Sequence, residues 1–250
     1  MDAVSESSPP EWQASREYWQ LHGSEIYRGV GVVPGESKPV LVLPGLFGND
    51  LYLHTVRDWL KRMDYQPVAS SIAWNVGCPR RLLSDAERQL EKALSMSEGD
   101  VALVGHSRGG LLAKALATRH ADRIRNLVLV GSPLGGMLRA GPQGMQAYAD
   151  AMANGSSQAQ RMVFSSGRSF IRMLDPDCDS PVCQCEYMDA LFAPLPNHMQ
   201  VTSIFSRSDP IVPPGMSYMP YGQNIVVNGT HSGLMFNQEV FSYLAAALAI

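Results

Sequence analysis

The stretch DVALVGHSRGG, residues 100–110, decides how the rest of the chain is read. Val101 to Val104 form an apolar run with no polar face, which fits a strand buried on both sides. Gly105-His106-Ser107-Arg108-Gly109 follows at once, and a helical pattern runs on through Arg119. A serine with glycines two places before and two after, between strand and helix, makes a sharp turn. That turn lifts the serine hydroxyl above the sheet edge, at a helix N-terminus where developing negative charge is favoured.

Working outward, the same rhythm repeats. Pro39–Leu43, Pro67–Trp74, Asn126–Val130, Val201–Phe205 and Asn224–Val227 read as further short strands. Helices are expected over 50–63, with Asn49 or Asp50 as N-cap, over 84–96, and at the C-terminal VFSYLAAALAI, 240–250. Strands alternating with helices predict an α/β fold with a mostly parallel sheet of about six strands, covered by helices on both faces. The rhythm breaks from 137 to 200, a segment with helical patches at 145–153, 158–164 and 168–174. The expected organisation is an N-terminal extension, 1–37, followed by one domain, 38–250, carrying an inserted helical cap at 137–200. Residues 1–9 read as loose. Pro9 and Pro10 open a helix at Glu11, with Trp12, Tyr18 and Trp19 available to dock.

Composition narrows the function. The chain has 250 residues, 17% of them charged and 45% hydrophobic. An average soluble domain has roughly 25% charged residues, and a disordered chain has few apolar ones, so most of this length should fold. Net charge is −3 and no run of five basic residues occurs, which argues against a nucleic-acid partner. The eleven residues of the C-terminal apolar run are too few to span a bilayer. No basic n-region or apolar h-region opens the chain, and four cysteines do not make a disulfide scaffold, so a cytoplasmic location is expected.

A serine hydroxyl needs a base to become a nucleophile. In this architecture the partners follow in the order serine, acid, histidine. Asp209, in SRSDPIVP, and His231, in NGTHSG, both follow predicted strands and so fall at the same sheet edge as Ser107. Alone, Asp209 reads equally as an Asx turn before Pro210, and His231 as a loop histidine. Beside Ser107 the combination is harder to reach by chance. Among the other histidines, His106 should pack beside the serine, His120 should cap helix carbonyls, and His198 is the rival base. Two backbone amides should meet an oxyanion: that of Arg108 and one from Pro44-Gly-Leu-Phe-Gly48, where Leu46 is preferred to Phe47.

The chain resembles the α/β-hydrolases of the bacterial lipase and esterase type. PGLFGN (44–49), GHSRGG (105–110), LVLVGSPLGG (127–136), SRSDPIVPP (206–214) and NGTHSGLMFNQEVFSYL (228–244) carry the likeness, in the family's order. The resemblance implies a Ser107–His231–Asp209 triad, an oxyanion hole from Leu46 and Arg108, and a cap. GSPLGG is similar to the GTPHGG of the lipase branch. Pro44 departs from the family, which usually has a histidine there that props the oxyanion loop. Arg108 departs too, and its side chain is expected to meet an anionic substrate group or to point to solvent. Some family members bind calcium through an acid two residues past the histidine, where this chain has Gly233.

The expected activity is hydrolysis of a carboxylic ester on a small molecule, with acyl transfer or thioester hydrolysis as alternatives and a non-catalytic binding module as a distant third. No cofactor or metal is expected. Cys178, Cys183 and Cys185 read as a local disulfide or thiols sooner than as a zinc site. The insertion's methionines, Met137, Met145, Met152, Met162, Met173, Met188 and Met199, read as an apolar wall over the site or as core filling. Met145, Phe164 and Leu191 are the expected pocket-lining side chains.

Overall fold

The computed structural model describes residues 9–155, 157–178 and 185–249. Its sheet has six parallel strands: β1 Pro39–Leu43, β2 Gln66–Ala69, β3 Val101–His106, β4 Ile124–Val130, β5 Gln200–Ser206 and β6 Gln223–Val227. They lie in the order β2-β1-β3-β4-β5-β6. The helices are α1 Ala14–Gly23, α2 Glu25–Arg28, α3 His54–Arg62, α4 Pro79–Ser95, α5 Arg108–Arg119, α6 Leu134–Ala140, α7 Met145–Ala153, α8 Gln158–Leu174, α9 Glu186–Phe192, α10 Pro214–Ser217 and α11 Gln238–Leu248.

Strand side chains alternate between the two faces. Leu41, Leu43, Leu103, Leu127 and Leu129 pack with residues of α4, α5 and α9, while Val40, Val42, Ala102, Val104, Val128 and Val130 pack with α1, α3 and α11. Both faces of β1 and β3 are therefore apolar, which is why these strands read as unbroken hydrophobic runs. Each fully buried Leu or Val favours the folded state by about 1.5–3 kcal/mol relative to exposure. Parallel strands bring all their C-terminal ends, and the loops that follow them, to one edge.

Several boundaries differ from the sequence reading. β2 stops at Ala69, because Asp50 accepts hydrogen bonds from the Ser70 amide and hydroxyl and the Ser71 amide. Asp50 is thus occupied across the chain and does not cap α3, which begins at His54 without a side-chain cap. Asn49 closes a local turn on the Tyr52 amide. α4 begins at Pro79, five residues before the expected Ser84, with the proline at the first turn. The patches at 158–164 and 168–174 are one helix, α8.

Between β4 and β5 the chain makes α6 to α9. Both ends of α8 are fastened to the core. Ser157 at its start donates to the Pro210 carbonyl, and Asp175 at its end accepts from the Cys78 amide at 2.7 Å and from Arg81 at 2.8 Å. α9 is held by Lys114 of α5, a fully buried lysine that donates to Thr118 Oγ1 and to the carbonyls of Ala190 and Ala193. Burial pushes its ammonium down to about 8. Among the described residues no helix is long and apolar enough to cross a membrane.

Candidate active site

Ser107 joins β3 to α5 with φ 51° and ψ −123°, a backbone conformation that a non-glycine residue adopts only under strain. Its amide donates to the Val130 carbonyl at 2.8 Å, which holds the turn against β4. A Cβ at Gly105 would run into Gly110, and one at Gly109 into the Leu43 and Pro44 carbonyls. The two glycines let the chain double back at the sheet edge.

Across that edge, His231 Nδ1 lies 2.7 Å from Asp209 Oδ2. The other Asp209 oxygen accepts the amides of Ile211 and Val212, both at 2.8 Å, so the carboxylate is held at both oxygens. Burial of His231 opposes its charge, but the charge of Asp209, the hydrogen bond to it and the charge of Glu11 outweigh burial. Its imidazole therefore stands above the ordinary histidine value. His106 does pack beside it, with ring centroids 4.9 Å apart. His106 Nε2 donates to the His231 carbonyl at 3.1 Å. Burial, with His231 beside it, pushes His106 down to about 3, so it stays neutral. Ser107 and His231 line one open cleft with Gly45, Leu46, Tyr52 and Ser232. The Ser107 hydroxyl makes no hydrogen bond among the described residues, as is common before substrate tightens a site.

The loop 44–48 is braced by a residue that the sequence did not single out. Asn75 is fully buried. Its Nδ2 donates to the Pro44 carbonyl at 2.7 Å and its amide to the Gly48 carbonyl at 2.9 Å, while its carbonyl accepts the Phe47 amide at 3.2 Å. Phe47 sits at φ 60°, and its amide is thereby occupied. The Leu46 amide has no partner among the described residues. Where the family histidine is replaced by Pro44, Asn75 supplies the prop from the loop after β2.

Arg108 is a correction. Its guanidinium does not simply point to solvent: it donates to Asn75 Oδ1 at 2.7 Å, to the Asn75 carbonyl at 3.1 Å and to the Gly77 carbonyl at 2.7 Å, and Arg108 also lines the apolar cavity beside Ser107. The guanidinium ties the residue after Ser107 to the same brace.

On the other side of Ser107 an apolar cavity of about 110 Å³ lies under α7 and α8, walled by Leu46, Leu111, Met137, Met152, Phe164 and Ile171, among others. Mid-helix Gly167 lets α8 rest on Leu46, whose side chain occupies the place a Cβ would take. The methionine wall divides. Met137 and Met152 line the cavity, Met145, Met188 and Met199 are core, and Met162 and Met173 are exposed. Of the three expected lining residues only Phe164 lines the cavity, since Met145 and Leu191 are buried in the core.

Other expectations resolve individually. His120 does not cap carbonyls with its ring, which pairs with Glu87 at 2.8 Å. His198 bonds the Ala121 carbonyl at 3.0 Å and lines neither cavity. Trp12 and Trp19 do not dock: they are 71% and 72% exposed, and the extension is attached through Glu11, Glu17, Tyr18 and Leu21 instead. The central cysteine of the 178–185 cluster, Cys183, lies outside the described residues, and among those described no group of three metal-binding side chains gathers.

A family model for the α/β-hydrolase fold matches residues 85–166, which include Ser107. A 2-hydroxymuconate semialdehyde hydrolase of Pseudomonas putida is 58% identical over 40 residues, a match spanning 16% of this chain and 14% of that protein. Among solved structures, an extracellular α/β-hydrolase from a Paenibacillus species superposes with a TM-score of 0.53 at 12% identity, covering 84% of this chain and 98% of that one. A thermophilic esterase from Thermogutta terrifontis gives 0.50 at 19% identity, over 86% and 91%. With its six parallel strands, its serine turn after β3 and these likenesses, the chain has the α/β-hydrolase fold.

Proposed function

We propose that this protein is a serine hydrolase of the lipase and esterase type that cleaves small carboxylic esters through an acyl-enzyme on Ser107. One observation carries the reading. Ser107, in its strained turn, lines both an apolar cavity and an open cleft, and that cleft is also lined by His231, whose Nδ1 pairs with Asp209.

In this reading Ser107 Oγ attacks the ester carbonyl while His231 Nε2 takes its proton. Asp209 keeps the Nδ1–H tautomer and supports the imidazolium. The tetrahedral oxygen is received by the Arg108 amide at the head of α5 and by the Leu46 amide, which the brace leaves unoccupied. The intermediate then collapses: the C–O bond breaks, and His231 returns the proton to the leaving alcohol. Water, deprotonated by His231, releases the acid. The acyl group occupies the apolar cavity and the alcohol leaves by the open cleft, with residues 137–200 acting as the cap. An engineered cavity of about 150 Å³ holds benzene, so about 110 Å³ favours a short acyl group.

Turnover of p-nitrophenyl esters from acetate to laurate, with and without competing alcohols, tests this. Hydrolysis peaking at short chains and unchanged by acceptor supports it. Products that are mainly transferred acyl esters would replace hydrolysis with acyl transfer.

A further inference from the structure

The loop that carries His231 is gripped by the opposite end of the chain. Glu11 lies in the single 3-10 turn, Glu11–Gln13, that leads into α1. Its Oε1 accepts the His231 amide at 2.8 Å and its Oε2 accepts the Ser232 amide at 3.0 Å. Two turns on, Glu17 accepts the Thr230 hydroxyl at 2.6 Å and the Thr230 amide at 3.1 Å. The Tyr52 hydroxyl donates to the Ser232 carbonyl at 2.5 Å. The His231 carbonyl is held in turn by His106, the residue before Ser107. Both polar groups of the His231 backbone are therefore engaged, one by the serine turn and one by the N-terminal carboxylate. Hydrogen bonds to a carboxylate are roughly twice as strong as neutral ones. They also place a negative charge near an imidazole that must become positive.

We propose that Glu11 is a positioning residue for the reaction: it fixes the His231 backbone across the site from Ser107, and its charge supports the imidazolium formed during proton transfer. The catalytic half of this rests on His231 being the base. The titratable groups that face His231 are Asp209, His106 and Glu11. His106 is neutral, and Asp209 belongs to the pair itself, so Glu11 is the charge supplied from outside it. The extension thereby becomes part of the machinery and not only a clasp on α11 and the core.

The test is a histidine-labelled NMR titration of the full-length protein, comparing the parent with Glu11→Gln, Glu11→Ala and, as control, Glu25→Gln, whose carboxylate lies exposed on α2 of the same extension. Losing the Glu11 charge lowers the His231 midpoint by about half a pH unit in both Glu11 variants and leaves the control unmoved. Amide exchange at His231 and Ser232 accelerates about ten-fold in Glu11→Ala and less in Glu11→Gln, which keeps an acceptor oxygen. With ester substrate, kcat falls about ten-fold in Glu11→Ala, KM stays within about two-fold, and Glu11→Gln recovers part of the loss. An unchanged His231 midpoint in folded Glu11→Gln overturns the proposal, and that variant decides alone if Glu11→Ala does not fold. Because titration and exchange need no turnover, a parent inactive on esters would sink the ester reading while leaving the hold on His231 separately measured.

Discussion

The serine turn and the histidine loop face each other at one sheet edge, yet they are held by different means. The turn's sequence code lies within five residues: Gly105 and Gly109 permit close approaches, to Gly110 and to the Leu43 and Pro44 carbonyls, that no side chain could, and β3 and α5 fix its two ends. The loop 228–233 has glycines of its own, Gly229 at φ 152° and Gly233 where a Cβ would run into Glu17 and Thr230 Oγ1, but it is anchored from afar. Its geometry comes from Glu11 and Glu17, more than two hundred residues earlier, from Tyr52 and from His106. The serine turn is held chiefly by close backbone packing, and the histidine loop chiefly by hydrogen bonds from distant carboxylates and rings. Changes in the first should act on folding, and changes in the second on turnover.

The largest effect tests the steric half. Gly109→Ala forces a Cβ into the Leu43 and Pro44 carbonyls, for an expected loss of at least about 4 kcal/mol of stability. For a chain of this size that lowers Tm by roughly 8–16 °C, measured by calorimetry. A variant within about 2 °C of the parent would mean that the turn is not sterically specified.

Asp209→Asn should do the reverse. The Ile211 and Val212 amides can still bond the side-chain oxygen, so the fold and Tm should hold nearly unchanged. Turnover should drop by about 10⁴, because the amide no longer selects the Nδ1–H tautomer or supports the imidazolium. Steady-state kinetics beside a melting curve separates the two.

Asn75→Ala probes the brace between the halves. Without it Arg108 and the loop 44–48 lose a shared partner, and the Leu46 amide is no longer aimed. An expected fall in kcat of about 10–100-fold, with KM little changed, would mark an effect on the transition state. Equal rises in KM alone would place Asn75 in substrate binding.

The smallest effect belongs to the apolar cavity. Phe164→Ala enlarges it, so the preferred acyl chain should lengthen. About 0.8 kcal/mol for each buried methylene corresponds to roughly four-fold in relative kcat/KM per added carbon. An unchanged chain-length profile would remove Phe164 from the acyl site.

This contrast also explains what could be read from the chain. Ser107, the strand pattern and the parallel sheet were legible because each is set by neighbours in sequence: apolar runs, glycine spacing, turn residues. Asp209 and His231 stand out as candidates by their order after strands, and the structure brings the two side chains together. Arg108 was misread because its partners, Asn75 and Gly77, lie in an irregular loop that carries no period. Asn75, Glu11 and Glu17 left no local signal at all, since a lone buried amide and two surface-type carboxylates acquire meaning only once the chain has closed on them. The exposed Trp12 and Trp19 misled for the same reason: aromatic content predicts docking, whereas here only Tyr18 of the three docks, beside Leu21 and the carboxylates of Glu11 and Glu17.

The central claim is that Ser107 is the nucleophile, and intact mass after reaction with a fluorophosphonate tests it most directly. The account predicts one phosphonyl adduct per chain in the parent and none in Ser107→Ala, with the rate of labelling falling as pH drops through the His231 titration, since only the neutral imidazole can take the proton. An adduct that persists in folded Ser107→Ala, or an ester-hydrolysing parent that takes up no label, would contradict it.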